Sequence, residues 1–313
     1  MAKWDYKGIL PAMQVPFKPD YSIDEGELRR FTARLGATRG ITGLVTNGHT
    51  GEVFALTAPE RAEVTRIVAD EVKDKMPVVS GICVEGIIDA CEHAVMARDA
   101  GASALLVMPP HQWLRFGMKP EHVIEHFSEI GKASGLDLFV HVYPSWTRAA
   151  YSCELLAELA RLRHVKAFKL GTRDMNKYAM DIKAIRDAAP EKTVLTCHDE
   201  YLLPSMVQGV DGALVGFGSF LPEKIAALWE AVQAGDLNRA MQLQLEINPL
   251  KQAVYGFGEP TGEAHARMKA AMALAGLMKS PLCRRPARPV EGKDLAAIKD
   301  ALRGAGMLQR EAA

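Results

Sequence analysis

The 313-residue sequence has few cysteines and no excess of charge. Its five cysteines are scattered, odd in number and never spaced as Cys-x-x-Cys. This argues against a disulfide scaffold and against a structural zinc site, and we expect no metal. Lys and Arg together number 38, as do Asp and Glu, so the formal net charge is zero. A neutral chain has no strong general attraction for nucleic acid or for anionic membranes, and neither is an expected partner.

Long apolar segments are also missing. No apolar run approaches the ~18 residues of a membrane span. The first ten residues, MAKWDYKGIL, lack the charged-then-apolar pattern of a secretory signal. A reducing cytoplasm is therefore the expected location. With 48% hydrophobic and 24% charged residues, the composition is that of a soluble globular protein and excludes disorder as a description of the whole chain.

Short apolar runs recur along the chain, separated by longer amphipathic stretches. Eight runs begin at Gly8, Gly43, Pro77, Ala104, Leu138, Val165, Thr193 and Gly212. They are rich in Val, Leu and Ile, which is typical of parallel strands covered on both faces. Helix signals lie between them, such as a capping box from Thr57 to Glu60 and a helix start at Pro120.

Eight strand-then-helix units over the first ~230 residues predict an α/β fold, the (β/α)8 or TIM barrel, whose usual size is ~250 residues. An open, doubly wound sheet remains the alternative, because alternation alone does not prove closure. Three more helical segments are predicted at 240–254, 263–277 and 293–302. We expect a barrel over residues 1–233 and an appended C-terminal helical region over 234–313 that packs on it.

Two neighbouring strands carry candidate catalytic groups at their carboxyl ends, where this architecture holds its active sites. Because side chains alternate across a strand, Val165, Ala167 and Lys169 should share one face, directed into the barrel. Apolar surroundings lower the pKa of a lysine and free its amine as a nucleophile. The alternative is a lysine that pairs with a carboxylate. By the same alternation, His141 and Tyr143 point inward on strand five, and a hydrogen-bonded core histidine is the alternative for His141.

Two glycine-containing loops are candidates for binding an anion. The loop Gly48–Glu52 follows strand two, and its backbone amides are suited to a carboxylate or a phosphate. The loop Gly216–Phe220 follows Leu214 of strand eight and precedes a helix, which gives it the same capacity. Both loops are equally consistent with plain strand-to-helix turns.

Two further patterns are weak. His122 to His126 matches the His-x-x-Glu-His pattern of inverted zinc peptidases. It falls on the helix after strand four, outside the barrel, so a solvated helix flank is the preferred interpretation. The run GFGEPTG, from Gly256, lacks the preceding strand and the spacing of a dinucleotide loop, and is interpreted as a helix connection.

Several motifs together resemble the class I aldolases and lyases that include dihydrodipicolinate synthase and N-acetylneuraminate lyase. They are VPF at 15–17, GHTGE at 48–52, FALTAPER from Phe54, AGASALLVMPP from Ala100, Lys169 after its apolar strand, HDEYLLPSMVQGVDGALVG from His198 and the arginine-proline stretch at 284–289. The resemblance covers nearly the whole length and is colinear with the eight predicted units.

The resemblance implies a barrel with C-terminal helices, commonly assembled as a homotetramer. It implies that Lys169 forms an imine with pyruvate or another 2-oxo acid and needs no cofactor. The carboxylate of that acid would bind to Thr50 and to the amides of His49 and Thr50, with Gly51 in the same turn. Leu214 and Gly216 are expected to line the same substrate site.

The sequence also departs from the family pattern. Aligned on Pro144, His141 stands where the family keeps its proton-shuttle tyrosine, and Tyr143 lies two positions later. His111 aligns with the tyrosine that the synthases take from a neighbouring subunit. Trp146 aligns with the arginine that grips a second carboxylate. These changes argue against true dihydrodipicolinate synthase activity and for a bulky or apolar acceptor.

The sequence therefore predicts a Schiff-base-forming lyase, with Lys169 as nucleophile and His141 and Tyr143 as proton shuttles. A 2-keto-3-deoxy sugar acid dehydratase and a dihydrodipicolinate synthase are the alternatives within this class. A barrel that binds a keto acid without converting it is the alternative of another class.

Overall fold

Eight parallel strands form one sheet that curls into a nearly closed barrel in the computed structural model, which describes residues 4–256 and 261–308. They are β1 Gly8–Pro11, β2 Leu44–Thr46, β3 Val78–Ile82, β4 Ala104–Val107, β5 Asp137–Val142, β6 Val165–Leu170, β7 Thr193–Thr196 and β8 Gly212–Val215. Strands β2 to β8 pair in chain order and β1 pairs with β8. Parallel bridges from Ile9 to Ile41 and from Ala12 to Val45 join β1 to the chain around β2. The predicted barrel is confirmed, and the open doubly wound sheet is wrong because the strand order never reverses.

Helices connect the strands and continue after the last one. They are α1 Glu25–Ala37, α2 Ala58–Val72, α3 Ile87–Asp99, α4 His111–Phe116, α5 Pro120–Ser134, α6 Cys153–Arg161, α7 Met175–Ala188, α8 Leu202–Met206, α9 Phe217–Phe220, α10 Pro222–Gln233, α11 Leu237–Tyr255, α12 Ala264–Leu274 and α13 Gly292–Gly304. The predicted capping box is present, since the backbone N–H of Thr57 donates to the Glu60 carboxylate over 2.8 Å. Among the residues described, no helix combines the length and the apolar character that crossing a membrane requires.

The three predicted C-terminal helices are present as α11, α12 and α13. They pack on the barrel layer, because one apolar cluster contains Phe217 and Ile225 together with Leu243 and Met268. Helix α12 ends before the predicted residue 277, since Gly276 takes a left-handed conformation with φ of 70°. The division of the chain at residue 233 stays a prediction.

Apolar side chains fill the barrel interior below the active-site end. They include Leu10, Val45, Val79, Leu106, Phe139, Ala167, Leu195 and Leu214. The predicted alternation holds for Ala167 but is wrong for Val165, which packs in the outer cluster. A register shift between Leu138 and Phe139 makes Lys166 an extra residue, so the alternation restarts above it.

Candidate active site

An open cavity of about 760 Å³ lies at the carboxyl ends of the strands. Its inner walls include Lys169, His141, Tyr143, Leu214 and Gly216, as the sequence predicts. The C-terminal helices contribute the outer wall, with Tyr255, Ala264, His265 and Met268. The cavity is therefore built jointly by the barrel and the helices that follow it.

Lys169 lies in β6 two residues beyond the buried Ala167 and lines this cavity. Its Cα pairs with that of His141 in β5 and with that of Leu195 in β7. Desolvation by the surrounding protein holds the pKa of the Lys169 amine below its usual value. Electrostatic interaction with Cys197 and Asp199 opposes this change without reversing it. A larger fraction of uncharged, nucleophilic amine at neutral pH follows.

His141 and Tyr143 lie beside the lysine with their rings in contact. The ring centroids are 4.8 Å apart and the planes are nearly perpendicular. Burial, with the positive charge of Lys169 nearby, holds the pKa of His141 well below its usual value. Its Nδ1 atom has no hydrogen-bond partner among the described residues. His141 is thus a neutral imidazole at neutral pH.

The loop after β2 forms a short 3₁₀ turn over His49–Gly51. The first hydrogen bond of the turn runs from Gly51 N to Gly48 O over 3.0 Å, so the amides of His49 and Thr50 precede it. Amides at the start of a helical turn have no partner within the turn and can receive an anion. Gly51 is required here because a Cβ would stand 2.9 Å from the carbonyl oxygen of Met13.

His49 also contacts the strand-five pair, which the sequence did not reveal. The hydroxyl of Tyr143 and Nε2 of His49 form a hydrogen bond of 2.9 Å. Desolvation, followed by the charge of Lys169, lowers the pKa of His49 to about 4, although the residue is exposed and lines the cavity. The imidazole is therefore neutral near pH 7, and Nε2 can accept the tyrosine proton.

The amides of the β8 loop already have an internal partner. The carboxylate of Asp199 accepts from Gly216 N over 3.1 Å and from Phe217 N over 2.9 Å. A Cβ on Gly216 would stand 2.6 Å from the hydroxyl of Tyr255 and 3.0 Å from Oγ1 of Thr50. The predicted anion loop thus holds a side-chain carboxylate, and its glycine lets Thr50 and Tyr255 approach.

Several cavity residues were missed from the sequence. Gln14, three residues after β1, is buried with neither amide atom bonded among the described residues. Arg173, four residues after Lys169, donates to Glu200 over 2.8 Å and lines the cavity beside Cys197. Asp199 follows β7. Their positions in the sequence could have identified all three, because each lies just beyond the carboxyl end of a strand, where this architecture holds its active sites.

The remaining predicted site residues, Trp146 and His111, differ in their position relative to the cavity. Trp146 lines the rim and is 73% exposed. His111 begins α4, is exposed and does not line the cavity of its own chain. Arg148 also lines the cavity and places a cation near Trp146.

Neither the His122–His126 pattern nor the run from Gly256 gains support as a binding site from the described residues. His126 is buried in α5 with its ring 5.3 Å from that of Trp113, so the predicted solvated flank is wrong for this residue. Packing against the indole explains the histidine, and His122 is exposed. Residues 257–260 of the GFGEPTG run lie outside the described residues, so the interpretation of that run stays a prediction.

Glu52, His265 and Cys283 form the one group of possible metal ligands in the described part of the chain. The ammonium of Lys269 occupies it, pairing with the Glu52 carboxylate and donating to Leu282 O over 2.8 Å. Both partners are fully buried, and Arg284 N donates to the second Glu52 oxygen over 2.9 Å. This ion pair connects the turn at His49–Gly51, which Glu52 follows, to α12 of the C-terminal helices.

Replacing Lys269 by methionine should destabilise the protein by about 3–5 kcal/mol, because Glu52 would be left as an unpaired buried charge. Denaturant unfolding monitored by circular dichroism measures the loss. The double variant Lys269→Met with Glu52→Gln removes that charge and should be more stable than the single variant. Equal stability of the single variant and the wild type would contradict this role.

The sequence profile of the dihydrodipicolinate synthetase family matches residues 5–305. A 4-hydroxy-tetrahydrodipicolinate synthase from Haloarcula marismortui is 33% identical over 290 residues, covering 91% of this chain and 90% of that protein. An N-acetylneuraminate lyase from Citrobacter koseri is 28% identical over 299 residues, covering 96% of each.

Solved structures share the fold. YagE, a prophage protein of the dihydrodipicolinic acid synthase family from E. coli K12 solved in complex with pyruvate, superposes with a TM-score of 0.87. It is 24% identical, and the match covers 96% of this chain and 99% of that one. On the profile match and the sequence relatives, the chain belongs to the dihydrodipicolinate synthetase family and is a lyase of the class I aldolase type.

Proposed function

We propose that the protein is a Schiff-base-forming lyase that joins or separates a pyruvate-derived enamine and a second, bulky or apolar partner. The observation that carries this proposal is Lys169, an amine with a lowered pKa inside a large cavity, beside neutral His141 and an anion-binding turn. The names of the relatives, a synthase and an N-acetylneuraminate lyase, and the pyruvate bound to YagE support the choice of substrate.

The reaction begins with the 2-oxo acid. Its carboxylate binds at the amides of His49 and Thr50 and at the Thr50 hydroxyl. The Lys169 amine adds to the keto carbon, and loss of water gives a protonated imine. That cation withdraws electrons from C3, so a base removes a C3 proton and the electron pair forms an enamine. The enamine carbon then attacks the carbonyl of an acceptor.

Proton transfer at C3 is assigned to His141, with help from Tyr143. His141 is the closer of the two along the strand, since its Cα pairs with that of Lys169. Tyr143 lies two residues further up and is hydrogen-bonded to His49. The tyrosine can thus orient water or substrate while its own hydroxyl stays fixed.

The outer part of the cavity supports an acceptor with an apolar face. Phe54, Leu114, Trp146 and Met268 line it. These side chains favour an aromatic or otherwise bulky aldehyde, or a deoxy-sugar acid stacked on the indole. A polar wall containing Arg173 and Asp199 favours a second candidate, a 2-keto-3-deoxy sugar acid dehydratase, whose enamine would expel a C4 hydroxyl. Arg148 at the rim keeps synthase activity among the alternatives despite Trp146.

A homotetramer in the cytoplasm completes the proposal. The exposed His111 and the 72% exposed Phe116 at the two ends of α4 support an interface there. In such an assembly His111 would approach the cavity of a neighbouring copy.

A panel of 2-oxo acids with sodium borohydride tests the proposed activity. Pyruvate is expected to be trapped as a stable secondary amine, seen as a single mass increase of the intact protein. Acids with a branched C3 should be trapped more slowly, because Lys169 lies on the inner wall of the cavity, on a strand between those of His141 and Leu195. Trapping of no acid in the panel would favour a barrel that binds keto acids without converting them.

A further inference from the structure

The mechanism above leaves one proton without a carrier. When an adduct is cleaved, the hydroxyl on the breaking carbon must lose its proton as the aldehyde forms. His141 and Tyr143 are assigned to C3, on the strand-five side of Lys169. A titratable group on the acceptor side of the cavity could carry this proton directly, without taking part in proton transfer at C3.

We propose that Asp199 is this group and that Tyr255 is its positioning residue; the proposal rests on the proposed function. Asp199 follows β7, whose Leu195 pairs with Lys169, and it lines the same cavity from the side opposite His141. Tyr255 ends α11 and lines the cavity as well. The acceptor would lie between the strand-five side and this pair.

The contacts of Asp199 hold it rigidly and leave it able to react. Its two oxygens accept from Gly216 N and Phe217 N at 3.1 and 2.9 Å. The Tyr255 hydroxyl lies near the same carboxylate, since an added Cβ on Gly216 would stand 2.6 Å from that hydroxyl and 3.5 Å from Oδ2 of Asp199. A carboxylate has about four lone-pair positions, so the two amide bonds leave room for the nearby Tyr255 hydroxyl and for a substrate hydroxyl. Gly216 lacks a side chain that would fill this place.

The electrostatic surroundings of Asp199 suit acid–base chemistry at neutral pH. Burial raises its pKa to about 7, and the nearby Glu200 adds to this effect. The two amides and the Lys169 ammonium act in the opposite direction. Cys197 and the Tyr255 phenol are the other titratable groups that face it, both with a pKa raised by burial. A base with a pKa near the working pH is the most effective proton carrier.

In the cleavage direction the step balances without an added reactant. The Asp199 carboxylate takes the hydroxyl proton, and the O–H electron pair becomes the second bond of the aldehyde carbonyl. The C–C bond breaks, and its electron pair forms the enamine as the positive imine nitrogen becomes neutral. In the addition direction Asp199 returns the proton to the aldehyde oxygen.

The test uses the adducts of pyruvate with benzaldehyde, phenylacetaldehyde and glyceraldehyde, and the full-length protein. The wild type is expected to cleave at least one, with a kcat that falls as pH drops through about 7, because the carboxylate must be ionised. The protonated imine takes the place of the Lys169 ammonium and acts on this pKa in the same direction. Asp199→Asn should reduce kcat by about 10²- to 10⁴-fold and remove this limb, while pyruvate is still trapped on Lys169 by borohydride.

Tyr255→Phe provides the second arm. Removing the hydroxyl dipole from beside the ionised carboxylate should move the same limb to higher pH, with a smaller loss of kcat than in Asp199→Asn. A purely structural role for the tyrosine would lower activity without moving the limb.

Three outcomes overturn the inference. Loss of pyruvate trapping in Asp199→Asn would make Asp199 a cap of the β8 loop. An unchanged kcat and limb in that variant would place the acid–base group elsewhere. A wild type that traps pyruvate but cleaves none of the adducts would remove the acceptor step, whereas a wild type that traps nothing would overturn the proposed function itself.

Discussion

Pyruvate and sodium borohydride together should label the wild-type protein once and inactivate it, and the variant Lys169→Ala should show neither label nor activity. The reason is that the imine needs an uncharged amine within reach of the bound keto carbon. Burial lowers the pKa of Lys169, which raises its uncharged fraction. The measurement is intact-mass spectrometry, followed by peptide mapping of the reduced adduct.

The matched control is Lys166→Ala in the same strand. Lys166 is the extra residue at the register shift and does not line the cavity. Its removal should leave labelling and activity intact. If Lys169→Ala is labelled as well as the wild type, Lys169 is not the nucleophile.

Most of the fold can be predicted from the sequence because the patterns that specify its strands and helices are local. Each strand of the barrel is a short apolar run, and each cap or proline acts within one turn of a helix. Such signals need no knowledge of the rest of the chain. The inward position of Lys169 follows from Ala167 by the same two-residue alternation, and the alternation was wrong only below the register shift, at Val165.

The contacts that complete the site are not local. The Glu52–Lys269 ion pair joins residues 217 positions apart, and no periodicity links their positions. Asp199 reaches across to the amides of the β8 loop, 17 and 18 residues further on. The pKa directions of His49, His141 and Asp199 depend on burial by these distant elements. The sequence identified residue types at the right end of the barrel but not their mutual distances.

Replacing His141 and replacing Tyr143 should have different effects on proton transfer at C3. His141→Phe is expected to be trapped by pyruvate and borohydride but to exchange the C3 hydrogens of pyruvate with D₂O about 10²- to 10⁴-fold more slowly. Proton NMR of pyruvate follows this exchange without any acceptor. Tyr143→Phe should lose less, because the hydroxyl assists and His141 remains.

The pH dependence of C3 hydrogen exchange shows whether His141 acts as a base or only packs against its neighbours. Burial and the charge of Lys169 hold the pKa of His141 well below its usual value, so the imidazole is unprotonated and available as a base throughout the neutral range. Exchange in the wild type should therefore fall only on the acid side, as His141 becomes protonated, and His141→Phe should lack this limb. Tyr143→Phe should retain it. Normal exchange in His141→Phe with none in Tyr143→Phe would instead make the tyrosine the shuttle, with His49 as the acceptor of its proton over the 2.9 Å hydrogen bond.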